Sequence, residues 1–168
     1  MTRATDLTTR ALDAPAIREA LGHFASGVTV ITTLTPAGQP VGTTASAVCS
    51  VSLDPPLILV CLDRASETLA ALRQHQAFAI NVLAEEQQSL STNFARRGAA
   101  SSWEQVKHRI GPGGVPWLDD VLATLDCRLE ECVTAGDHEI VIGSLTELEL
   151  ATGAPLLHFR SAYAGLRP

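Results

Sequence analysis

VTVITTLTPAGQPVGTTASAVCSVSLDPPLILVCLD, residues 28–63, is the stretch that decides the fold. Its first seven residues, Val28–Leu34, are rich in β-branched side chains, which pack well on a pleated surface and lose rotamer freedom in a helix. Pro36, Ala37 and Gly38 supply turn chemistry, and a second extended stretch runs from Gln39 to Leu53, so the two predict a hairpin. The Pro55–Pro56 pair punctuates the chain. Leu57–Asp63 then forms a nearly unbroken apolar run, which predicts a central strand covered on both faces.

Working outward, Ser66 is placed to cap a helix that carries Leu69 and Leu72 and ends near Gln76, and Ala77–Ala84 predicts another buried strand. A helix is expected over Glu85–Arg96 with Leu90 and Phe94 inward, followed by a long surface loop over Arg97–Pro116, where periodicity is lost and glycines gather. Further on, Leu125, Cys127 and Leu129 alternate with Asp126, Arg128 and Glu130, the pattern of a strand with one apolar and one charged face. Gly136 and Asp137 turn the chain into HEIVIGSLTELEL, Thr152 and Gly153 turn it again, and LLHFR (Leu156–Arg160) makes a last short strand. Upstream, Asp13 and Pro15 start a short helix with Ile17, Leu21 and Phe24 on one face and Gly27 as its stop, while residues 1–12 are expected to be a flexible arm. Hairpin-joined strands outnumber helices, which predicts a mainly β antiparallel barrel or sandwich with helices attached rather than a doubly wound sheet.

A chain of 168 residues suits one packed unit, here residues 13–168, and 46% hydrophobic against 18% charged residues leaves ample material for a core. The formal charge of −6 gives no hold on a phosphate backbone or an anionic lipid surface, so nucleic acid and membrane are excluded as partners. Any phosphorylated ligand must be met by local hydroxyls, backbone N–H groups and single cations. With no apolar leader after the first basic residue and no long uncharged stretch, a cytoplasmic location is expected. Cys49, Cys61, Cys127 and Cys132 show no CxxC spacing. Cys127 and Cys132 are five apart in a strand, so a period of two sets them on opposite faces and no metal site is expected.

The chain lacks GxGxxG after its first strand, a Walker loop, HExxH and GxSxG, which removes the common nucleotide and hydrolase templates. Gly111, Pro112, Gly113 and Gly114 have no strand-to-helix context and a proline without an N–H, so they indicate a flexible loop rather than a phosphate cradle. In GTTASAVCSVS (Gly42–Ser52), hydroxyls crowd a strand whose small residues Ala45, Ser46 and Ala47 leave room for a flat ligand to reach the backbone. Asp63, Arg64, Ser66 and Thr68 lie where a strand gives way to a helix: either a phosphate seat or a plain serine cap. Gly136, Asp137 and His138 need no more than turn chemistry to explain them, and His23, His75, His108 and His158 receive no role.

Taken together, FASGVTVITT (24–33), TASAVCSVSLDPPLILVCLD (44–63), Ser66 with Thr68, FAINVL (78–83), NFA (93–95), GDH (136–138) and RSAYAGL (160–166) resemble, in order and spacing, the flavin reductase-like family, the small reductase components of two-component flavin monooxygenases. The resemblance covers Ala14 to Leu166 and implies a split β-barrel of the FMN-binding type, antiparallel and Greek-key-like, forming a homodimer with flavin near the subunit interface. It implies that Thr43, Thr44, Ala45, Ser46, Ser50, Val51 and Ser52 meet the isoalloxazine and ribityl portions. Arg64, Ser66 and Thr68 correspond to phosphate and ribityl donors, Asn81, Phe94 and Ala95 line the same groove, and Tyr163 closes over it. His138 faces the flavin and the nicotinamide site as the supporting catalytic group. The implied reaction is hydride transfer from NADH or NADPH to N5 of FMN or FAD, with reduced flavin diffusing to a separate oxygenase. Glu67, acidic beside the phosphate seat, is a departure. Two alternatives stand beside this reading: an oxidoreductase that retains its flavin and acts on a dedicated small molecule, and a non-catalytic flavin-binding protein.

Overall fold

The computed structural model describes residues 9–95 and 102–166. In chain order the elements are α1 (Ala14–Leu21), β1 (Ser26–Gly27), β2 (Thr29–Leu34), β3 (Pro40–Ala45), β4 (Val48–Leu53), β5 (Pro56–Asp63), α2 (Glu67–His75), β6 (Ala77–Val82), a single 3-10 turn (Glu85–Gln87), α3 (Gln88–Phe94), β7 (His108–Ile110), β8 (Pro116–Leu118), β9 (Ala123–Ala135), β10 (His138–Leu150), β11 (Leu157–Phe159) and β12 (Ala162–Ala164).

One sheet dominates, with strand order β3-β2-β6-β9-β10-β5-β4 and every pairing antiparallel. Its two edge strands, β3 and β4, are consecutive in the chain and joined by Ser46 and Ala47 alone. Three peptide steps span at most about 11 Å, so the edges must meet at that end and the sheet must curl around. The result is a barrel split between β3 and β4. Its interior is a single cluster to which the sheet contributes Ile31, Ala45, Ile58, Val60, Leu62, Phe78, Ile80, Cys127 and Val141, with Leu69 and Leu72 of α2 packed in. Gly143 is required there, because a Cβ would stand 2.7 Å from the Phe78 ring. Buried threonines of β2 are tolerated because each donates to a carbonyl: Thr29 Oγ1 to Ala45 O at 2.7 Å, Thr33 Oγ1 to Ala77 O at 2.7 Å, and Thr32 Oγ1 to Pro116 O.

Several sequence expectations are corrected. The stretch Gln39–Leu53 is not one strand: it breaks at Ser46–Ala47, and its halves go to opposite edges of the sheet. β5 is not central but lies next to the β4 edge, with Ile58, Val60 and Leu62 in the core and the alternate residues only half-buried. The first helix stops at Leu21 and is closed by Gly22; Gly27 lies in β1, and none of the residues of α1 is buried. The stretch after α3 holds the β7–β8 hairpin, whose strands of three residues each are too short for alternation to show. The 1–12 arm falls outside the described residues over 1–8, as do Arg96 and residues 97–101 of the expected helix and loop; residues 9–12 are exposed and carry no regular structure.

Cys127 and Cys132 do not face opposite ways: both pack against the barrel core. The cause is a register shift in the β9–β10 ladder, where Ile142 pairs with Glu131 but Gly143 pairs with Leu129, so Glu130 is an extra residue that inverts the alternation beyond it. Burial pushes the Cys127 thiol up to about 12. Asp126, expected on a charged outer face, is fully buried beneath the β7–β8 hairpin and accepts the Gly113 N–H at 2.8 Å. The glycine turn 111–114 therefore packs on Asp126 and Trp117; a Cβ on Gly111 would lie 2.1 Å from Trp117 Nε1. Burial raises the Asp126 carboxyl above its ordinary value, opposed by that backbone N–H. Among the described residues no helix is long and apolar enough to cross a membrane.

Candidate functional site

A cleft of about 940 Å³ opens at the split of the barrel. Such a volume lies toward the upper end of the roughly 300–1,000 Å³ typical of small-molecule sites. Its floor is β3 and the link after it: Thr43, Thr44, Ala45, Ser46 and Ala47 all line it. As an edge strand, β3 has a ladder partner on one side only, so its other edge presents backbone N–H and C=O groups. Small side chains leave those groups approachable. The second wall is the end of β5 and the start of α2, contributing Asp63, Ser66, Glu67 and Thr68. The two hydroxyl-bearing stretches, far apart in sequence, thus share one cavity.

The α2 start is fixed locally. Ser66 N–H donates to Asp63 O at 2.9 Å, Ala65 N–H donates to Asp63 Oδ1 at 2.9 Å, and the Ser66 hydroxyl accepts from Leu69 N–H at 3.4 Å. Thr68 is 3% exposed. Across the cleft, Thr44 Oγ1 donates to Ser91 O at 2.7 Å, and the Ser91 and Tyr163 hydroxyls are 2.9 Å apart, so β3, α3 and the β11–β12 hairpin are tied together. Gly42 lets α3 come this close: a Cβ there would meet Ile31 O at 3.0 Å and the Phe94 ring at 3.1 Å.

His138 opens β10 and sits opposite Asp63 in the ladder, with the turn held by Arg64 N–H donating to Asp137 O at 3.0 Å. Its Nδ1 lies 2.8 Å from Asp137 Oδ1. A carboxylate only accepts, so Nδ1 carries the hydrogen and Nε2 is the ring nitrogen left for other contacts.

Of the residues singled out in the sequence, the structure brings together Thr43, Thr44, Ala45, Ser46, Ser66, Thr68, Phe94, Ala95, His138 and Tyr163 around this cleft. It places the others elsewhere. Ser50, Val51 and Ser52 lie on β4, with Val51 as a bulge in the β4–β5 pairing and Ser52 Oγ accepting from Asp54 N–H at 3.2 Å. Arg64 lies 3.9 Å from the buried Glu139 carboxylate, which Arg73 also engages. Asn81 is fully buried and committed: its Nδ2 donates to Val30 O and Thr32 Oγ1, each at 3.0 Å, and its Oδ1 accepts from Leu118 N–H at 2.9 Å. The lining residues that were missed include Ser91, Trp103 and His158. His158 lies directly across the β11–β12 pairing from Tyr163, and that register was the available signal. Spacing offered none for the other two.

Chemically, the cleft is a hydroxyl-lined trough with a helix start at one wall. No Lys or Arg appears among its described lining residues, whereas Asp63 and Glu67 are present. Such a surface suits a flat heterocycle with amide-like edges and a phosphate met by N–H and O–H donors. Among the described residues no three His, Cys, Asp or Glu gather as metal ligands.

Residues 21–167 match the family model described as flavin reductase like domain. The chain belongs to that family. A probable flavin reductase of Rhizobium meliloti is 44% identical over 147 residues, covering 85% of this chain and 46% of its own, so the chain spans about half the length of that relative. The reductase component of a 4-nitrophenol 4-monooxygenase/4-nitrocatechol 2-monooxygenase from Rhodococcus opacus is 39% identical over 157 residues, covering 94% and 83%. In structure, the NADH:FAD oxidoreductase of Streptomyces globisporus, in complex with NAD and FAD fragments, superposes with a TM-score of 0.87 at 28% identity over 93% of this chain and 94% of that one. The split barrel is thus the fold of the flavin reductase-like family.

Proposed function

We propose that this protein reduces FMN or FAD with NADH or NADPH and releases the reduced flavin to a separate oxygenase. The observation that carries this reading is the convergence of residues 43–47 with Asp63 and residues 65–68 on one cleft at the barrel split, in a chain of this family. When bound, flavin supplies the acceptor, N5, for a hydride from C4 of the dihydronicotinamide.

The chain's own part is alignment. The β3 edge and the Ala45–Ala47 link hold the flat ring against backbone N–H and C=O groups, and Ser66, Thr68 and the α2 start hold the phosphate. His138, fixed through Nδ1, keeps Nε2 for the nicotinamide carboxamide or for charge developing on the ring. Holding two rings in register can account for much of the acceleration without an obligatory acid or base. With two carboxylates and no Lys or Arg among the described residues of the cleft, binding of an anionic flavin is modest, which suits a diffusible product.

A homodimer and a cytoplasmic setting belong to the same proposal. Leu12, Ile17, Leu21 and Phe24 are 91%, 42%, 61% and 78% exposed, an apolar run on and around α1 that a second copy of the chain would cover. Residues 13–168 act as one unit in this reading. The test is to mix purified protein with each dihydronicotinamide and each flavin and follow nicotinamide oxidation. The proposal expects turnover that rises with added flavin and saturates. Oxidation at full rate with no added flavin would point to a retained cofactor, and no oxidation in any combination would defeat the proposal.

A further inference from the structure

α2 and α3 flank β3 on opposite sides. Leu69 and Leu72 of α2 pack with Ile31, whereas Phe94 of α3 packs with Val30, and adjacent residues of β2 face opposite ways. The hydroxyl shelf and the α2 start account for a tricyclic ring and one phosphate, yet the cleft continues past β3 to a wall that neither uses. That wall is aromatic. Trp103 lines the cleft half-buried, with its ring edge-to-face to Phe94 at 5.0 Å and to His108 at 5.0 Å. It is also anchored from the backbone: Asn93 Nδ2 donates to Ser102 O at 2.9 Å, and Ser102 N–H donates to Asn93 Oδ1 at 3.3 Å, which pins the residue next to Trp103 onto α3.

We propose that Trp103 is a stacking platform for the adenine of a bound dinucleotide, the adenosine diphosphate half that FAD shares with NADH and NADPH. The inference rests on the flavin and nicotinamide reading of the cleft. An indole held by its neighbours and its backbone is pre-ordered, so stacking a base on it costs little side-chain entropy. The described residues of this wall, Phe94, Ala95 and Trp103, are uncharged, which fits a neutral purine, while Asp63 and Glu67 sit on the far side of β3. Trp103 is then a binding residue that separates dinucleotides from FMN.

The test compares dissociation constants of ADP, FMN and FAD, and the KM for NADH at saturating FMN, for the wild type, Trp103→Leu and Trp103→Phe. Trp103→Leu is expected to weaken ADP, together with FAD or NADH or both, by about tenfold. FMN should change by less than threefold, and Trp103→Phe should recover most of the loss. A loss confined to FAD assigns the site to the flavin's adenine, and a loss confined to NADH to that of the nicotinamide dinucleotide. Equal ADP binding by the wild type and Trp103→Leu overturns the proposal, as does equal weakening of FMN and FAD. Should Trp103→Leu fail to fold, a Trp117→Phe chain leaves Trp103 as the sole tryptophan, because the sequence holds two; saturating ADP must then quench its fluorescence, and an unchanged signal overturns the proposal. If neither FMN nor FAD binds the wild type, the reductase reading fails, while the ADP comparison still decides the role of Trp103.

Discussion

Asn81→Ala separates scaffold from site. The side chain is fully buried and joins four strands: it donates to Val30 O and Thr32 Oγ1 on β2 and accepts from Leu118 N–H on β8 and, at 3.4 Å, from Thr124 Oγ1 on β9, while itself belonging to β6. Its amide orientation follows from these partners, since Thr32 Oγ1 already donates to Pro116 O and can only accept from Asn81. Truncation orphans the Leu118 N–H, which costs about 1–3 kcal/mol in a buried place. The Thr124 hydroxyl and the Val30 carbonyl also lose a partner, and a void is left, so the whole loss should reach about 3–5 kcal/mol. For a chain of this size that is a fall in Tm of about 6–20 °C. Urea unfolding should show a lower midpoint at an unchanged slope. Below the transition, FMN affinity should stay within about twofold of wild type. Stability reduced by less than about 1 kcal/mol, or a tenfold loss of FMN affinity in a chain of wild-type stability, would refute the reasoning and return Asn81 to the groove.

Three further outcomes are expected. His138→Ala should lower kcat or raise the nicotinamide KM in steady-state assays while leaving flavin binding in place; loss of flavin binding would contradict its supporting role. Glu67→Gln, by removing one carboxylate from the α2 start, should tighten FMN by about threefold at low salt and by less at high salt; calorimetry at two ionic strengths checks it, and weaker binding would speak against a phosphate there. Asp126→Asn should raise Tm more at pH 8 than at pH 4. The folded carboxyl titrates above its unfolded value, so its unfavourable ionisation is absent at acid pH, grows as pH rises through that window and persists above it. A Tm gain that is the same at both pH values would show that Asp126 is not raised.

How far the sequence could be read depended on where the information was local. Ser66 as a cap, Gly136–Asp137 as a turn and Phe94 as an inward residue each follow from chemistry within a few positions, and the structure places them so. The split itself was not local. Nothing in Gly42–Ser52 announces that Ser46–Ala47 carries the chain from one sheet edge to the other; that is a property of the whole strand order. The faces of Cys127 and Cys132 were misjudged because one extra residue, Glu130, resets a period of two. Asp126 looked like a solvent residue because the hairpin that covers it comes from residues 108–118, whose strands are too short to signal. Trp103 enters the cleft from a segment remote from β3 and α2, so only the assembled fold could reveal it.

The most direct measurement is a crystal structure of the protein with FMN bound. The isoalloxazine should lie along the β3 edge against residues 43–47, with the phosphate at Ser66, Thr68 and the start of α2. FMN seated instead on β4 beside Ser50 or Ser52, or anywhere that leaves the barrel split empty, would contradict the account.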